Sequence, residues 1–248
     1  MEFLLQDNLL LPFLATLGAS LAVIGVQAIN RFEKQQKQKI YAVNYMLDVA
    51  YRILSSTITV KQRTIIPHIE ATKRIMKGDD ELLEKTLLAD EFDILKAKGM
   101  IFSHLPNEYK LHIGYDDIEL VQMFDALVYL YEEDENRKHL NEFVKGNLKS
   151  MNGFLSMAPE KQHDVLNTYW DILSSLDHET NRVMFFVRDV VLPRLNTYTK
   201  EFQFALFRTG KVKKKIGAIS ALIEEYKELL PDPDYMENVR TGGIQREL

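Results

Sequence analysis

Hydrophobic and polar positions divide the chain sharply at about residue 30. Leu9 to Ile29 is a run of 21 residues without a charge, and its polar members are Thr16, Ser20 and Gln27. At about 1.5 Å rise per residue a helix of that length spans roughly 30 Å, the thickness of a bilayer core. Pro12 falls in the first turn, where a missing N–H costs little. The run shows no polar stripe and is long for a core helix. A cleaved leader is the other competing reading, with Val26-Gln27-Ala28 as its cleavage site, but Met1 to Asn8 carries Glu2 and Asp7 and no cation, the wrong sign for such a segment. The pattern therefore predicts a transmembrane helix over 9–30.

Past the run the period changes. Ile40, Val43, Leu47, Ala50, Leu54 and Thr57 follow heptad spacing, the mark of a long helix or a coiled coil. Nothing between Gly25 and Pro67 would break a helix, so the span is expected to continue to about residue 66, where Pro67 should kink or stop it. Gly78-Asp79-Asp80 reads as a turn and N-cap, followed by short helices from Asp80 to Ala89 and on to Ala97. Further helices are expected from Asp116 to Tyr131, from Asn136 to about Leu155, from Pro159 to Leu192 before Pro193, along Leu195, Tyr198, Phe202 and Leu206 up to Gly210, and from Val212 to Leu230. Pro231-Asp232-Pro233 should end the last one and leave a tail. No run alternates with period 2. The expected fold is all-α: a short N-terminus (1–8), a single N-terminal transmembrane helix (9–30), a juxtamembrane helix (31–66), a helical bundle (67–230) and a flexible tail (231–248).

Charge orients this arrangement. Arg31, Lys34, Lys37 and Lys39 follow the span and two acids precede it, so the positive-inside rule places the N-terminus outside and the bundle in the cytoplasm of a cell bounded by a plasma (inner) membrane. The four cations are positioned for lipid headgroups. Within the span Ala15, Gly18, Ala22 and Gly25 form one stripe of small residues, through which helices in lipid can approach closely, and a homo-oligomer is expected.

Composition narrows the chemistry. The 248 residues contain no cysteine, which excludes disulfides, thiolate metal sites and cysteine nucleophiles. A net charge of -5 makes an overall grip on nucleic acid unexpected. Neither a glycine-rich phosphate loop nor a nucleophile elbow occurs, and Thr209-Gly210-Lys211 is only a fragment of such a loop. Glu160 and His163 make one E-x-x-H, half of a di-iron pattern, with no second copy. Asp177-His178-Glu179 lacks the second His of a zinc helix and reads as a solvated face. No cofactor and no metal are expected.

Two constellations remain. Arg208, Lys211, Lys213, Lys214 and Lys215 lie in a stretch without acids, whereas 116–135 holds eight acids and no base. The basic stretch is a candidate for an anionic ligand or protein partner, and pairing of the two stretches is a further option. Arg63 and His68, separated by four residues, resemble the core of the metal-independent RNase motif of the HEPN superfamily, itself all-α. That resemblance implies action of both residues on an RNA phosphodiester near its 2′-OH. It covers six residues, with Thr64 where an Asn, Asp or His is common and Pro67 interrupting the helix. The reading favoured by the whole chain is a non-catalytic, membrane-anchored, self-associating interaction or sensor module, with the RNase as the alternative.

Overall fold

The structure, a computed structural model, describes residues 3–78, 105–114, 116–132, 140, 142–148, 154, 156–201, 209–232 and 234–235. The helices expected between 80 and 97, Arg208 and the tail beyond 235 lie outside these residues. The described residues are helical and contain no strand. The helices are α1 (Phe3–Val60), α2 (Ile66–Met76), α3 (Asn107–Gly114), α4 (Ile118–Glu132), α5 (Pro159–Phe185), α6 (Leu192–Glu201) and α7 (Thr209–Glu225). Helix starts follow local chemistry. Pro159 opens α5 at a position that needs no N–H. Asp117 caps α4, its Oδ1 accepting from the Leu120 N–H at 3.0 Å. Past the end of α2, Gly78 takes φ +98°, a conformation suited to glycine.

Two prolines expected to kink or stop their helices do not end the helical run. A π-helical turn, Lys61–Ile65, leads into α2 with Pro67 at its second position, and a second, Phe186–Val191, leads into α6 with Pro193 at its second position. The Ile66 N–H reaches back to the Lys61 carbonyl and the Leu192 N–H to that of Val187. A proline ring clashes with the carbonyl four residues earlier and offers it no donor. Widening the turn relieves that clash, and the helical run continues past both prolines.

Packing divides the described residues into two apolar cores stacked along α1–α2 and α5. The first joins Ile40–Ile58 of α1 to residues of α3, α4, the end of α5 and its following π turn, α6 and α7, with Phe124, Leu127, Met184 and Val191 fully buried. The second joins Val60, Ile65 and Ile75 to Leu140, Val144, Leu148, Phe154 and residues 166–176 of α5. The heptad positions Ile40, Val43, Leu47, Ala50, Leu54 and Thr57 are all buried in the chain's own domain. The seam that suggested a coiled coil is thus filled by α3–α7, because a narrow apolar stripe says only that something covers it.

Chain directions follow from cross-contacts. Tyr169 meets His68, Asn181 meets Lys61, and Tyr198 and Lys39 both meet Asp116. The α5–α6 unit therefore runs antiparallel to α1–α2. Lys215 bonds to Asn44 and Asp48, and farther along the chain Tyr235 meets His178 beside the Asp177–Lys61 pair, so α7 runs in the same direction as α1.

Candidate membrane-anchoring site

Ile40 is the first buried residue of α1. From Phe13 to Gln35 every residue is exposed, including Phe13, Leu14, Leu17, Leu21, Val23, Ile24, Val26, Ile29 and Phe32. This helix is long and apolar enough to cross a membrane by length and composition, and none of its apolar window is buried. A core helix of that composition would cover at least one face. Ala15, Gly18, Ala22 and Gly25 are exposed on it, and a Cβ added to either glycine would meet nothing within 4 Å. The Ser20 hydroxyl donates to the Thr16 carbonyl at 2.8 Å, which satisfies it within the helix.

The basic collar is not uniform. Arg31 and Lys34 are exposed, whereas Lys37 pairs with Glu33 at 2.8 Å. Lys39 is mostly covered and forms an ion pair with Asp116, which also accepts from the Tyr198 hydroxyl at 3.2 Å. Lys39 thus ties α1, just past its exposed apolar segment, to the α3–α4 corner of the bundle.

The candidate anion-binding residues form the start of α7. Gly210 lies inside its first turn rather than ahead of it, and Lys211, Lys213 and Lys214 are exposed. None of these three has an ion pair among the described residues. Lys215 instead bonds to Asp48 Oδ2 at 2.6 Å and to the Asn44 carbonyl at 3.2 Å, fixing α7 on α1. The charge order of α7 opposes its macrodipole: cations at the first turns with no acid there, and Glu224 and Glu225 at the end. Each such charge costs about 0.3–1 kcal/mol at an exposed position. Among the described residues, no acid of the acidic stretch pairs with these lysines. Asp116 takes Lys39, Asp117 takes Arg194 at 2.9 Å and Asp125 takes Lys110 at 2.5 Å.

Arg63 and His68 occupy different environments. Arg63 is exposed on the π turn. The His68 ring packs edge-on against Tyr169 and lies 3.3 Å from its hydroxyl through Nδ1, with Phe143 stacked on the far side of Tyr169. Burial lowers the His68 pKa to about 4, so the ring is neutral at pH 7, and burial raises that of Tyr169. The geometry is that of packing at the α2–α5 contact. Glu160 and His163 are exposed in the first turns of α5, and among the described residues no group of three potential ligands could hold a metal.

Sequence reasoning missed a polar layer between the two cores. Lys61, only 8% exposed, lies at its centre. Its Nζ donates to Asn181 Oδ1 at 2.5 Å and pairs with Asp177 Oδ1 at 3.1 Å, while Asn181 Nδ2 donates to Asp177 Oδ2 at 3.2 Å. Asp177-His178-Glu179 is therefore no solvated face. Asp177 points to α1, and His178 meets the Tyr235 hydroxyl at 2.6 Å through Nδ1. The Arg188 Nη1 donates to the Pro231 carbonyl at 2.8 Å, so the chain is held against α5 as far as Tyr235. The signal was available: Lys61 falls on the next heptad position after Thr57, where a charge requires a partner.

No described protein family matches the chain, and no solved structure matches it. It is similar to glutamate–tRNA ligase 1 of Anaplasma phagocytophilum (strain HZ), 26% identical over 230 residues, covering 77% of this chain and 48% of that protein. The chain spans about half the length of that relative. Identity and coverage at this level assign no family, and the activity in the relative's name stays with the relative.

Proposed function

We propose that this chain is a single-pass membrane protein, N-terminus outside, whose helical domain is a non-catalytic interaction or sensor module that self-associates at a plasma membrane. The observation that carries the reading is the continuity of α1. One helix supplies both an apolar segment exposed on every side and the central buried strut of the bundle. Exposed apolar surface on this scale requires an apolar solvent or a partner. Cleavage after residue 28 would sever a helix that runs on unbroken into the core. A displacement or rotation of the span would reach the bundle without an intervening loop, which suits a sensor. The collar of Arg31 and Lys34 supports the orientation, and the small-residue stripe supports association within the bilayer.

Topology tests the reading directly. The chain has no cysteine, so single probes at Asn8→Cys and Lys37→Cys report cleanly. An impermeant thiol reagent on intact cells is expected to label the first and spare the second, in a membrane fraction that resists carbonate extraction. Labelling of the second alone reverses the orientation. Release of the full chain by carbonate removes the span, and an extracted chain shorter by about 28 residues would make the segment a leader.

A further inference from the structure

We propose that Lys211, Lys213 and Lys214 form a second contact with the bilayer, holding the α7 end of the bundle against anionic phospholipid headgroups. The proposal rests on reading the apolar run of α1 as the span. Its own argument is one of position and charge. Because α7 runs in the same direction as α1, its first turns are the part of it nearest the span. Lys215 sits level with Asn44 and Asp48, and Lys211 is one turn nearer the membrane. The fifteen residues from Ile29 to Asn44 rise about 22 Å, and one turn of α7 recovers about 5 Å of that. Headgroups occupy about 5–7 Å beyond the hydrocarbon on each side. About 10 Å then separates the Lys211 backbone from the headgroup plane, and about 13–15 Å those of Lys213 and Lys214. An extended lysine covers about 6 Å of this, and the remainder lies within a Debye length of about 8–10 Å. A tilt of about 20°, average for such helices, closes the gap on one side.

The three cations have no ion pair among the described residues, and their neighbour Asp48 is already taken by Lys215. The acids of α7, Glu224 and Glu225, lie at its opposite end, away from the membrane. The helix is thus polarised along the bilayer normal, cations toward the lipid and acids away from it. An anionic surface is the occupant that fits three lysines spread around the first turns of α7, beside the end of the proposed span, since it supplies many charges in one plane and needs no pocket.

The test uses the full chain in nanodiscs of phosphatidylcholine alone or mixed with phosphatidylserine, with amine-labelling rates of individual lysines read by mass spectrometry. Lys161, exposed at the start of α5 and far along the bundle from the span, is the internal reference. In the anionic discs Lys211, Lys213 and Lys214 are expected to label about five-fold more slowly than in neutral discs, the ratio that corresponds to about 1 kcal/mol of headgroup attraction per cation. High salt should restore the rate, and Lys161 should not respond. Equal rates in the two lipids overturn the proposal and leave the span intact. Failure of the chain to enter discs overturns the reading beneath it instead. Protection by added RNA or nucleotide in neutral discs, with none from phosphatidylserine, replaces the lipid with a soluble anion and also overturns the proposal.

Discussion

Lys61 and Asp177 should respond to substitution very unequally, because one is far more buried than the other. The Lys61 side chain is 10% exposed and that of Asp177 is 30% exposed. Asp177→Leu removes the one carboxylate paired with Lys61 among the described residues and leaves an ammonium in a nearly closed site with the Asn181 oxygen. Breaking a buried pair this way costs about 3 kcal/mol or more. Lys61→Met leaves the carboxylate instead. That group keeps the Asn181 amide and partial access to water, and the methionine fills the space of the lysine stem, so the cost should be about 1 kcal/mol. Combining the two replaces the pair with apolar groups of similar size and should recover most of the loss, since such replacements are often neutral. For a chain of this size the aspartate variant should melt about 6–12 °C below the parent. The assay is thermal and urea unfolding in detergent, followed by helical circular dichroism and by the fluorescence of Trp170, the one tryptophan. Equal losses from the two single variants would refute the argument from burial. A double variant as unstable as the sum of its parts would show that the two residues do not interact.

Three further outcomes are expected. The unfolded chain protonates His68 near pH 6.5 and the folded chain only near pH 4, so His68 should lower stability by about 3 kcal/mol as pH drops through that window, and His178, also held below its ordinary value by burial, adds a contribution of the same sign; His68→Gln should remove most of the slope in urea titrations, and an unchanged slope would assign it elsewhere. Gly18→Leu with Gly25→Leu should weaken the detergent oligomer measured by light scattering, whereas Leu14→Ile with Leu21→Ile should not; equal effects would remove the stripe as the interface. Tyr235→Phe should make residues beyond Leu230 more sensitive to limited proteolysis, because the hydroxyl bonds to both His178 Nδ1 and the His178 carbonyl; unchanged cleavage would show that Arg188 alone holds the segment.

Much of the architecture was legible because it depends on local rules. An uncharged run of membrane length, a 3–4 apolar spacing, a proline at a helix start and a glycine past a helix end each act within a few residues. What stayed hidden depends on distant partners. Pro67 and Pro193 obey the usual rule against interior proline only when the turn before them is regular. A π turn evades it, and such a turn is held in place by packing from other helices. The heptad could not say whether its cover came from another copy or from α3–α7. The aspartates of 116–117 looked like part of an acidic stretch that was solvated or paired with the basic one, yet Lys39 and Arg194, each 77 residues away along the chain in opposite directions, claim them.

The polar layer and the π turn coincide at Lys61, and the coincidence has a mechanical consequence. Two long apolar helices packed face to face can slide by a turn at little cost in buried area, because Leu, Ile and Val offer similar surfaces at successive turns. Lys61 cannot slide with them. It finds Asn181 and Asp177 at one height only, and a shift of one turn would strand the ammonium in an apolar core. The pair therefore fixes the register of α1–α2 against α5 at the point where the π turn changes the helix phase. A buried ion pair adds little net stability in exchange for its desolvation, but it penalises the wrong alignment heavily. For a helix that carries an apolar segment at one end and the second core at the other, that register determines how a movement of one end is presented to the other.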